Sequence, residues 1–234
     1  MNAPKLSIAT VVRNSLSPLQ TTIDSLRSQT DRSFEYAIID GASTDETREF
    51  VLQRPSPATI VLSEPDEGIY SAMNKAPAIC SGAYLQYLNA GDRLWDRQTL
   101  AAILPYLDGE ADLVLFNYMV LGNRYQADLS LRRVLGGGHC HQAIFYRRQY
   151  LLDHPFDTDL KYSADYHHLL NAISSHSVRV AEPIAIDYDT TGISSQASAR
   201  RRIRLERAWS AWHSGLTMQW RLTIAGYNLL RVIR

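Results

Sequence analysis

The chain has 234 residues, enough to bury the core of one α/β domain. With 45% hydrophobic and 21% charged residues, the composition is that of a globular protein and excludes a disordered or fibrous chain. Lysine plus arginine equal aspartate plus glutamate at 24 each, so we expect no nucleic acid partner. The two cysteines, Cys80 and Cys140, cannot form a zinc site or a disulfide framework, which favours a reducing compartment.

Charge is unevenly distributed along the chain. Residues 200–234 contain eight arginines and one acid, Glu206, so this end carries about +7 and the remainder about −7. Such an end suits an anionic membrane surface or a lipid diphosphate, although a solvated helix end has the same pattern. We find neither a signal-peptide pattern nor an apolar run of about eighteen residues. We therefore expect a cytoplasmic protein, either free or peripheral on the inner face of the cytoplasmic membrane.

The first half of the chain alternates short apolar runs with helical segments, the pattern of βαβ units and a mostly parallel sheet. This pattern predicts strands over residues 6–12, 34–39, 59–62, 84–88 and 112–117. Helices are predicted over residues 18–28, from about 46 to 52, over 69–79 and over 97–106. Ser17 is predicted as an N-cap, residues 43–46 match a capping box, and Pro77 predicts a kink or an early helix end.

Regular alternation weakens after residue 117. Gly136-Gly137-Gly138 predicts a turn or a mobile loop, followed by a strand over 142–146, a loop and helix over 162–174 and a closing strand over 178–188. We divide the chain into a catalytic α/β domain at 1–195 and a basic helical tail at 196–234. In the tail, Trp209, Trp212, Leu216 and Trp220 have the spacing of one apolar helix stripe. This stripe either packs on the domain or lies in a membrane surface.

Polar residues follow each of the first four predicted strands. They are Arg13-Asn14, residues 40–45, residues 63–66 and Asn89-Ala90-Gly91-Asp92. Ligands of open α/β sheets bind beyond the carboxyl ends of the strands. Turn formation alone explains any one segment, because Asp, Asn, Ser and Gly are common in turns. Four such segments in succession favour a site for a nucleotide and its metal ion.

Carboxylates within these segments suit nucleotide binding. Asp40 and Asp45 are placed to accept hydrogen bonds from the base and the ribose hydroxyls, although Asp45 also suits a helix N-terminus. Asp92 follows an apolar strand and a glycine and is the candidate ligand for Mg²⁺ or Mn²⁺, which prefer oxygen. His139 and His141 alternate on an extended stretch, and His141 is the one expected near the metal or a phosphate.

Several strings resemble family 2 glycosyltransferases of the GT-A fold: VVRN, DGASTDETREF, SEPDEGIYSAMNKAPAICSG, YLQYLNAGD, HQAIFYRR and SADY. The chain looks most similar to bacterial exopolysaccharide enzymes of the colanic acid cluster type, which carry SEPDxGIYDAMNKGI and LNxGD in this order. The resemblance implies a Rossmann-like, mostly parallel α/β sheet of GT-A type, flanked by helices and followed by the helical tail.

The resemblance also implies a reaction. It is the inverting transfer of a hexosyl or deoxyhexosyl group from a nucleotide sugar to a polyprenyl-diphosphate-linked or oligosaccharide acceptor in surface polysaccharide assembly. Asp40 and Asp45 would bind the nucleoside, Asp92 the metal, and Asp165 would be the base. The other donor-binding positions are Val12, Asn14, Asp66, Asn74, Asn89 and Gly91, and the HQ pair at His141 is also family-like.

Two positions depart from the family pattern. Asn89-Ala90-Gly91-Asp92 replaces a DxD-like acidic cluster, which weakens the expected metal site. Met73 stands where many relatives have arginine, which leaves a donor phosphate short of a cation. A nucleotide-sugar-binding or scaffold protein without turnover is therefore the alternative function. A nucleotidyltransferase or NAD-binding oxidoreductase is disfavoured, because the chain has neither G-x-G-x-x-G after its first strand nor a P-loop.

Asp165 suits a catalytic base on chemical grounds. Inversion by direct displacement needs a carboxylate opposite the leaving diphosphate to take the proton of the acceptor hydroxyl. The alternative is an N-cap aspartate for the following helix. His167 and His168 are expected on the surface of that helix. Tyr70 and Tyr188 would either stack on the sugar or base or belong to the core.

Overall fold

The computed structural model describes residues 3–55, 57, 60–136, 139–190 and 197–233. Within these residues the strands are β1 (Leu6–Val12), β2 (Phe34–Asp40), β3 (Ile60–Ser63), β4 (Tyr84–Tyr87), β5 (Arg93–Leu94), β6 (Leu113–Val120), β7 (Asn123–Tyr125), β8 (Ile144–Arg147) and β9 (Val178–Tyr188). The helices are α1 (Leu16–Arg27), α2 (Glu46–Leu52), α3 (Ile69–Ile79), α4 (Thr99–Ile103), α5 (Leu131–Gly136), α6 (Arg148–Asp153), α7 (Ala164–Ser175), α8 (Arg200–His213) and α9 (Met218–Ile233). Thr59, predicted to open the third strand, and the predicted turn at Gly137-Gly138 lie outside the described residues.

The strands form one sheet in the order β3-β2-β1-β4-β8-β6-β9-β5, with β7 paired to β6. Strands β3, β2, β1 and β4 are parallel, and Asp40 lies opposite both Val12 and Ser63. Strand β8 is antiparallel to β4 and to β6, so β6 and its parallel neighbour β9 point the same way as β4. The predicted α/β class, with a Rossmann-like, mostly parallel sheet flanked by helices, is therefore confirmed.

Strand β1 is buried along its whole length because helices cover both faces of the sheet. Leu6 and Ile8 join the hydrophobic cluster that includes residues of α1 and α4. Ala9 and Val11 point the other way and join the cluster that includes residues of α3, α6 and α7. This alternation follows from the two-residue period of a strand. The loops at the carboxyl end of β1 thus emerge between two packed layers.

Two predicted helix signals give different outcomes. Helix α1 begins at Leu16 with Ser15 as its N-cap residue, so the prediction of Ser17 as N-cap is wrong. Helix α2 begins at Glu46, and the Asp45 side chain accepts the backbone N–H of Thr47 at 3.0 Å. The helix N-terminus role foreseen for Asp45 is therefore present.

Helix α3 contains Pro77 but continues to Ile79. A proline cannot donate a backbone hydrogen bond to the carbonyl four residues earlier, here that of Met73. The hydroxyl of Tyr87 on β4 donates to the Met73 oxygen at 2.8 Å. The predicted early end at Pro77 is therefore wrong, because a tertiary hydrogen bond replaces the one that proline removes.

The tail forms two helices, α8 and α9, separated by residues 214–217. Helix α8 packs against α7, and α9 packs against α8 and α5. The shared apolar cluster consists of Val134, Tyr166, Leu170, Ala211, Leu216 and Ile224. The single predicted stripe is wrong, because Leu216 lies buried in the break whereas Trp209 and Trp212 are 42% and 49% exposed on α8. The boundary predicted at 195/196 lies outside the described residues.

The described helices include none that is long and apolar enough to cross a membrane.

His168 faces the core, so its predicted place on the helix surface is wrong. The side chain is 4% exposed, packs against Phe156 and Tyr150, and pairs through Nε2 with the backbone oxygen of His154 at 2.7 Å. Burial lowers the pKa of His168 to about 4, because a charged imidazole is poorly solvated there. His167, on the same helix, is half-buried.

This burial makes stability depend on pH. In the unfolded chain His168 takes up a proton near pH 6.5, whereas in the folded chain it does so near pH 4. The free energy of unfolding therefore falls as pH drops through this window, by up to about 3 kcal/mol from this residue. We expect His168→Gln to flatten the decline in urea unfolding between pH 6.5 and 4. His213→Gln, at an exposed position of α8, is the control and should keep the wild-type slope. Equal slopes in all three proteins would contradict the assignment.

Candidate active site

The carboxyl ends of β1, β2, β3, β4 and β9 meet at one edge of the sheet, because these strands run in the same direction. We call this edge the carboxyl rim. The polar segments after the first four strands share it, as expected. Strand β9 adds a fifth polar position to this rim, Asp189, directly after its last residue, Tyr188.

Asp40 organises the loop that follows β2. Its side chain is fully buried and accepts hydrogen bonds from the backbone N–H and the hydroxyl of Ser43, and from the hydroxyl of Ser63 at 2.6 Å. The Ser43 hydroxyl also accepts the backbone N–H of Asn14 at 2.9 Å, and Asn14 Oδ1 accepts the backbone N–H of Thr44 at 2.8 Å. Asp40 and Asn14 thus fix the two loops on which a nucleoside would rest.

Asp45 and Asp66 flank this loop. Asp45 is exposed and lines a depression of about 540 Å³ with Ser43, Thr44 and residues of α2. Asp66 packs on the backbone of Gly41, where a Cβ would lie 2.3 Å from its Oδ2. The N–H of Gly41 in turn donates to the carbonyl of Val12 at 2.9 Å. The structure therefore brings these predicted positions together around Gly41.

Asp92 lies inside the rim. Its side chain accepts the backbone N–H of Asp189 on Oδ1 at 2.8 Å and the Gln142 side-chain amide on Oδ2 at 2.9 Å. Only 3% of Asp92 is exposed, and this burial raises the pKa of its carboxyl to about 7 against the lowering effect of these donors. Gly91 precedes it with a φ of 104°, a conformation that favours glycine.

Asp189 was missed by the sequence reasoning. Its Oδ2 would lie 2.6 Å from a Cβ placed on Gly91, so its carboxylate sits against the loop that carries Asp92. The signal was available, because Asp189 follows the closing strand as the other candidates follow theirs. A strand-end rule applied to residues 178–188 finds it.

Asp165 is held by residues from separate parts of the chain. The Tyr70 hydroxyl on α3 donates to Asp165 Oδ1 at 2.8 Å, and His141 Nδ1 lies 3.4 Å from Asp165 Oδ2. His141 Nε2 in turn lies 3.3 Å from the side-chain amide of Asn89. This row of Tyr70, Asp165, His141 and Asn89 connects α7 to the carboxyl end of β4.

The surroundings of Asp165 keep it ionised. Burial alone raises its pKa, but His141, the Tyr70 hydroxyl and the Arg207 guanidinium together outweigh burial, so the pKa lies below its ordinary value. The side chain retains 22% exposure and can meet a substrate. The N-cap alternative is wrong, because Ser163 is the N-cap residue and Asp165 is inside α7.

Asn74 holds the chain segment before α7 in place. Its amide donates to the backbone oxygen of Phe156 and its oxygen accepts the Phe156 N–H, both at 2.9 Å. The neighbouring Met73 is fully buried in the core. His139 pairs through Nε2 with the backbone oxygen of Asp128 at 2.8 Å. The side chains of Asn74 and His139 thus both pair with backbone groups of other segments.

The sequence-based expectation that Asp165 is a base predicts a pH effect of removing the Tyr70 hydroxyl. The hydrogen bond to Asp165 favours the ionised carboxylate, so Tyr70→Phe raises the pKa of Asp165. As pH is lowered, we expect the turnover of Tyr70→Phe to begin to decline at a higher pH than that of the wild type. At neutral pH its turnover should be about tenfold lower. Tyr84→Phe, which removes a buried hydroxyl at the opposite end of β4, should keep the wild-type profile. If turnover falls with acidification along the same curve in the wild type and in Tyr70→Phe, this hydrogen bond has no role in the reaction.

The residues at Gly91 suit a divalent cation. Asp92 and Asp189 carry carboxylates, the ligand type that Mg²⁺ and Mn²⁺ prefer, but both Asp92 oxygens accept protein hydrogen bonds, so a cation at Asp92 would have to displace one of these donors. Such a pair fits a cation whose other ligands are phosphate and water oxygens. Across the described ranges, no group of three or more His, Cys, Asp or Glu side chains is arranged to hold a metal by itself.

Comparison with known proteins gives the class of this site. Residues 7–154 match the family described as Glycosyl transferase family 2, and the chain belongs to this family. A "PGL/p-HBAD biosynthesis glycosyltransferase" of Mycobacterium tuberculosis is 35% identical over 157 residues, which cover 63% of this chain and 61% of that protein. The match thus spans less than two thirds of that relative. An uncharacterized glycosyltransferase of the same species is 31% identical over 210 residues, covering 83% of this chain and 78% of the relative.

Solved structures share the fold. Staphylococcus aureus TarS 1-349 in complex with UDP-GlcNAc has a TM-score of 0.73 at 18% identity, covering 97% of this chain and 72% of that one. The mannosyltransferase PcManGT from Pyrobaculum calidifontis, in complex with GDP-Man and Mn²⁺, has a TM-score of 0.71 at 17% identity, covering 100% of this chain and 73% of that one. The sheet is therefore of the GT-A type.

Proposed function

We propose that the chain is an inverting glycosyltransferase that moves a sugar from a nucleoside diphosphate to an acceptor hydroxyl. The observation that carries the proposal is Asp165, an ionised carboxylate held beside the carboxyl rim by Tyr70 and His141. Membership of glycosyl transferase family 2 supports the reaction class.

In the proposed reaction, the acceptor oxygen attacks the anomeric carbon from the side opposite the diphosphate. The bond from this carbon to the diphosphate oxygen breaks, and its electron pair leaves with the phosphate. Asp165 takes the proton of the attacking hydroxyl, and the single displacement inverts the anomeric configuration. A base of this kind contributes on the order of 10²–10⁴-fold to the rate.

The donor occupies the carboxyl rim in this proposal. The loops fixed by Asn14 and Asp40 receive the nucleoside, with Asp45 at their edge. A bound Mg²⁺ or Mn²⁺ supplies positive charge to the departing diphosphate, worth several kcal/mol. Asp92 is its proposed ligand, with Asp189 beside it. UDP-GlcNAc bound to TarS, and GDP-Man with Mn²⁺ bound to PcManGT, support this arrangement.

The proposed acceptor belongs to surface or exopolysaccharide assembly and is lipid-linked, in keeping with the resemblance of the SEPDEGIYSAMNK string to the colanic acid cluster type. The transferred group is a hexose or deoxyhexose. Exposed Trp209 and Trp212 on α8, with the exposed Arg201 and Arg202, support contact with an anionic membrane on its cytoplasmic face. If the purified protein does not bind phosphatidylglycerol vesicles at low salt, the membrane contact is removed from the proposal.

A nucleotide-sugar-binding protein without turnover is the second candidate. One observation favours it: Asp92 is nearly inaccessible, and both of its carboxylate oxygens already accept hydrogen bonds from the protein. Metal-stimulated hydrolysis of the donor by the purified protein would exclude this candidate.

The proposed function is tested by thermal unfolding with a panel of nucleotide sugars, each with Mn²⁺ and with EDTA. A ligand that binds the folded chain raises the unfolding temperature in proportion to the logarithm of its concentration over Kd. We expect one nucleotide class to stabilise the chain, and more so with Mn²⁺. No stabilisation by any nucleotide sugar at millimolar concentration would contradict the proposal.

A further inference from the structure

A second, strongly basic cavity lies between the tail helices and α5. Its volume is about 220 Å³, and four arginines line it together with Tyr227 and Asn228: Arg200, Arg204, Arg207 and Arg231. We call it the arginine cavity. Among the described residues, no aspartate or glutamate lines it. Its size suits one or two phosphoryl groups rather than a whole nucleotide.

Two arginines of this cavity, Arg204 and Arg231, contact uncharged groups. Arg204 donates to the backbone oxygen of Arg231, and Arg231 donates to the Tyr227 hydroxyl at 2.8 Å with its guanidinium over the Tyr227 ring. Neither Arg204 nor Arg231 takes part in an ion pair within the part of the chain that is described. Their positive charges therefore repel each other until an anion enters.

The acid of α8 is engaged elsewhere. Glu206 is buried, pairs with Arg202 at 2.9 Å, and accepts the backbone N–H groups of Lys161 and Tyr162 ahead of α7. It therefore ties α8 to the catalytic helix rather than neutralising the arginine cavity. The lining that the structure describes therefore carries arginine charge and no acidic side chain.

The arginine cavity adjoins the catalytic centre through Arg207. The guanidinium of Arg207 lies 5.3 Å from the ring centroid of Tyr166, the residue after Asp165, and it lowers the pKa of Asp165. A base in an inverting displacement stands on the acceptor side of the sugar, opposite the leaving diphosphate. Because Arg207 both lines the cavity and acts on the pKa of Asp165, we assign an anion bound in the cavity to the acceptor rather than to the donor.

We propose that the arginine cavity binds a phosphate or diphosphate ester carried by the acceptor, and so places the acceptor hydroxyl at Asp165. This inference rests on the proposed function for its acceptor assignment. Arginine suits the task because its planar fork of N–H donors matches phosphate oxygens. The cavity would thereby select phosphorylated acceptors over neutral sugars.

The test measures binding of inorganic pyrophosphate by calorimetry in EDTA. We expect Arg204→Gln/Arg231→Gln to weaken binding at least about tenfold, because two charge-assisted contacts are lost. Arg132→Gln/Arg201→Gln removes the same charge at exposed positions outside the cavity and should bind as the wild type does. Equal affinity in the two double variants would overturn the proposal. Thermal unfolding without anion checks that each double variant is folded, since the cavity variant also loses the hydrogen bonds of Arg204 and Arg231.

Further arms of the experiment identify the source of the phosphate. Geranyl diphosphate that binds the wild type more tightly than pyrophosphate supports a lipid-linked acceptor, and equal binding supports a soluble phosphate ester. If phosphatidylglycerol vesicles that carry no phosphate-ester acceptor displace pyrophosphate, the cavity contacts the membrane and the proposal is overturned. The donor response in thermal unfolding should persist in Arg204→Gln/Arg231→Gln. If no nucleotide sugar stabilises the wild type, the proposed function is rejected. The pyrophosphate measurement still tests the cavity in that case.

Discussion

Asp165→Asn is expected to lower turnover at least about a hundredfold while donor affinity stays near that of the wild type. Asparagine matches the shape of aspartate and can still accept the hydrogen bond from Tyr70, but it cannot take a proton from the acceptor. The donor diphosphate would bind on the other side of the sugar, so its binding should be little affected. Turnover at saturating donor and acceptor, with donor Kd from calorimetry, measures both quantities.

Asp159→Asn provides the control for this variant. Asp159 is an exposed residue of the loop that leads to α7, and its loss removes the same charge without touching the Tyr70–His141 row. We expect its turnover to match the wild type. Comparable turnover in Asp165→Asn and Asp159→Asn would remove Asp165 from the role of base.

Asp92→Asn is expected to raise the Mn²⁺ concentration needed for half-maximal activity at least about tenfold, and to lower kcat/KM about a hundredfold. The amide retains an oxygen but not the negative charge that attracts a cation. A modest loss of stability in metal-free buffer is expected, because asparagine has a single acceptor oxygen for the two donors that Asp92 accepts, the Gln142 amide and the Asp189 N–H. Titrating activity with Mn²⁺ alongside a thermal unfolding curve separates loss of the metal from loss of the fold.

Asp187→Asn is the matched control for Asp92→Asn. Asp187 lies on β9 near the same rim and pairs with Arg93 at 2.5 Å near the surface. We expect this variant to keep the Mn²⁺ dependence of the wild type. If Asp92→Asn keeps it too, the cation is held elsewhere and Asp189→Asn becomes the variant to examine.

The sheet was largely predictable because its signals are local. The strands predicted at 6–12 and 178–188 have the bounds of β1 and β9, and the helix predicted at 69–79 has those of α3. Parallel strands bring their carboxyl ends to one edge, so the sequence also predicted that the polar segments after the first four strands share an edge. The succession of these strands along the chain needed no knowledge of distant contacts.

The remaining features depend on contacts between residues far apart in the chain. Asn74 pairs with Phe156, 82 positions away, which no spacing rule reveals. His168 is a polar residue, yet it lies in the core and packs against Phe156 and Tyr150. The break after α8 had a local sequence signal, because glycine is common just after a helix end and Gly215 stands there. Gly215 also lacks space for a Cβ, which would lie 2.4 Å from Ser174 Oγ.

The most direct test of the account is a crystal structure of the chain with Mn²⁺ and the nucleoside diphosphate that stabilises it most. We expect the cation about 2.1 Å from a carboxylate oxygen of Asp92 or Asp189 and from the diphosphate, with the nucleoside on the loops of Asn14 and Asp40. Asp165 should face the open side of the donor, away from the diphosphate. Nucleotide and cation bound away from the carboxyl rim would contradict the account.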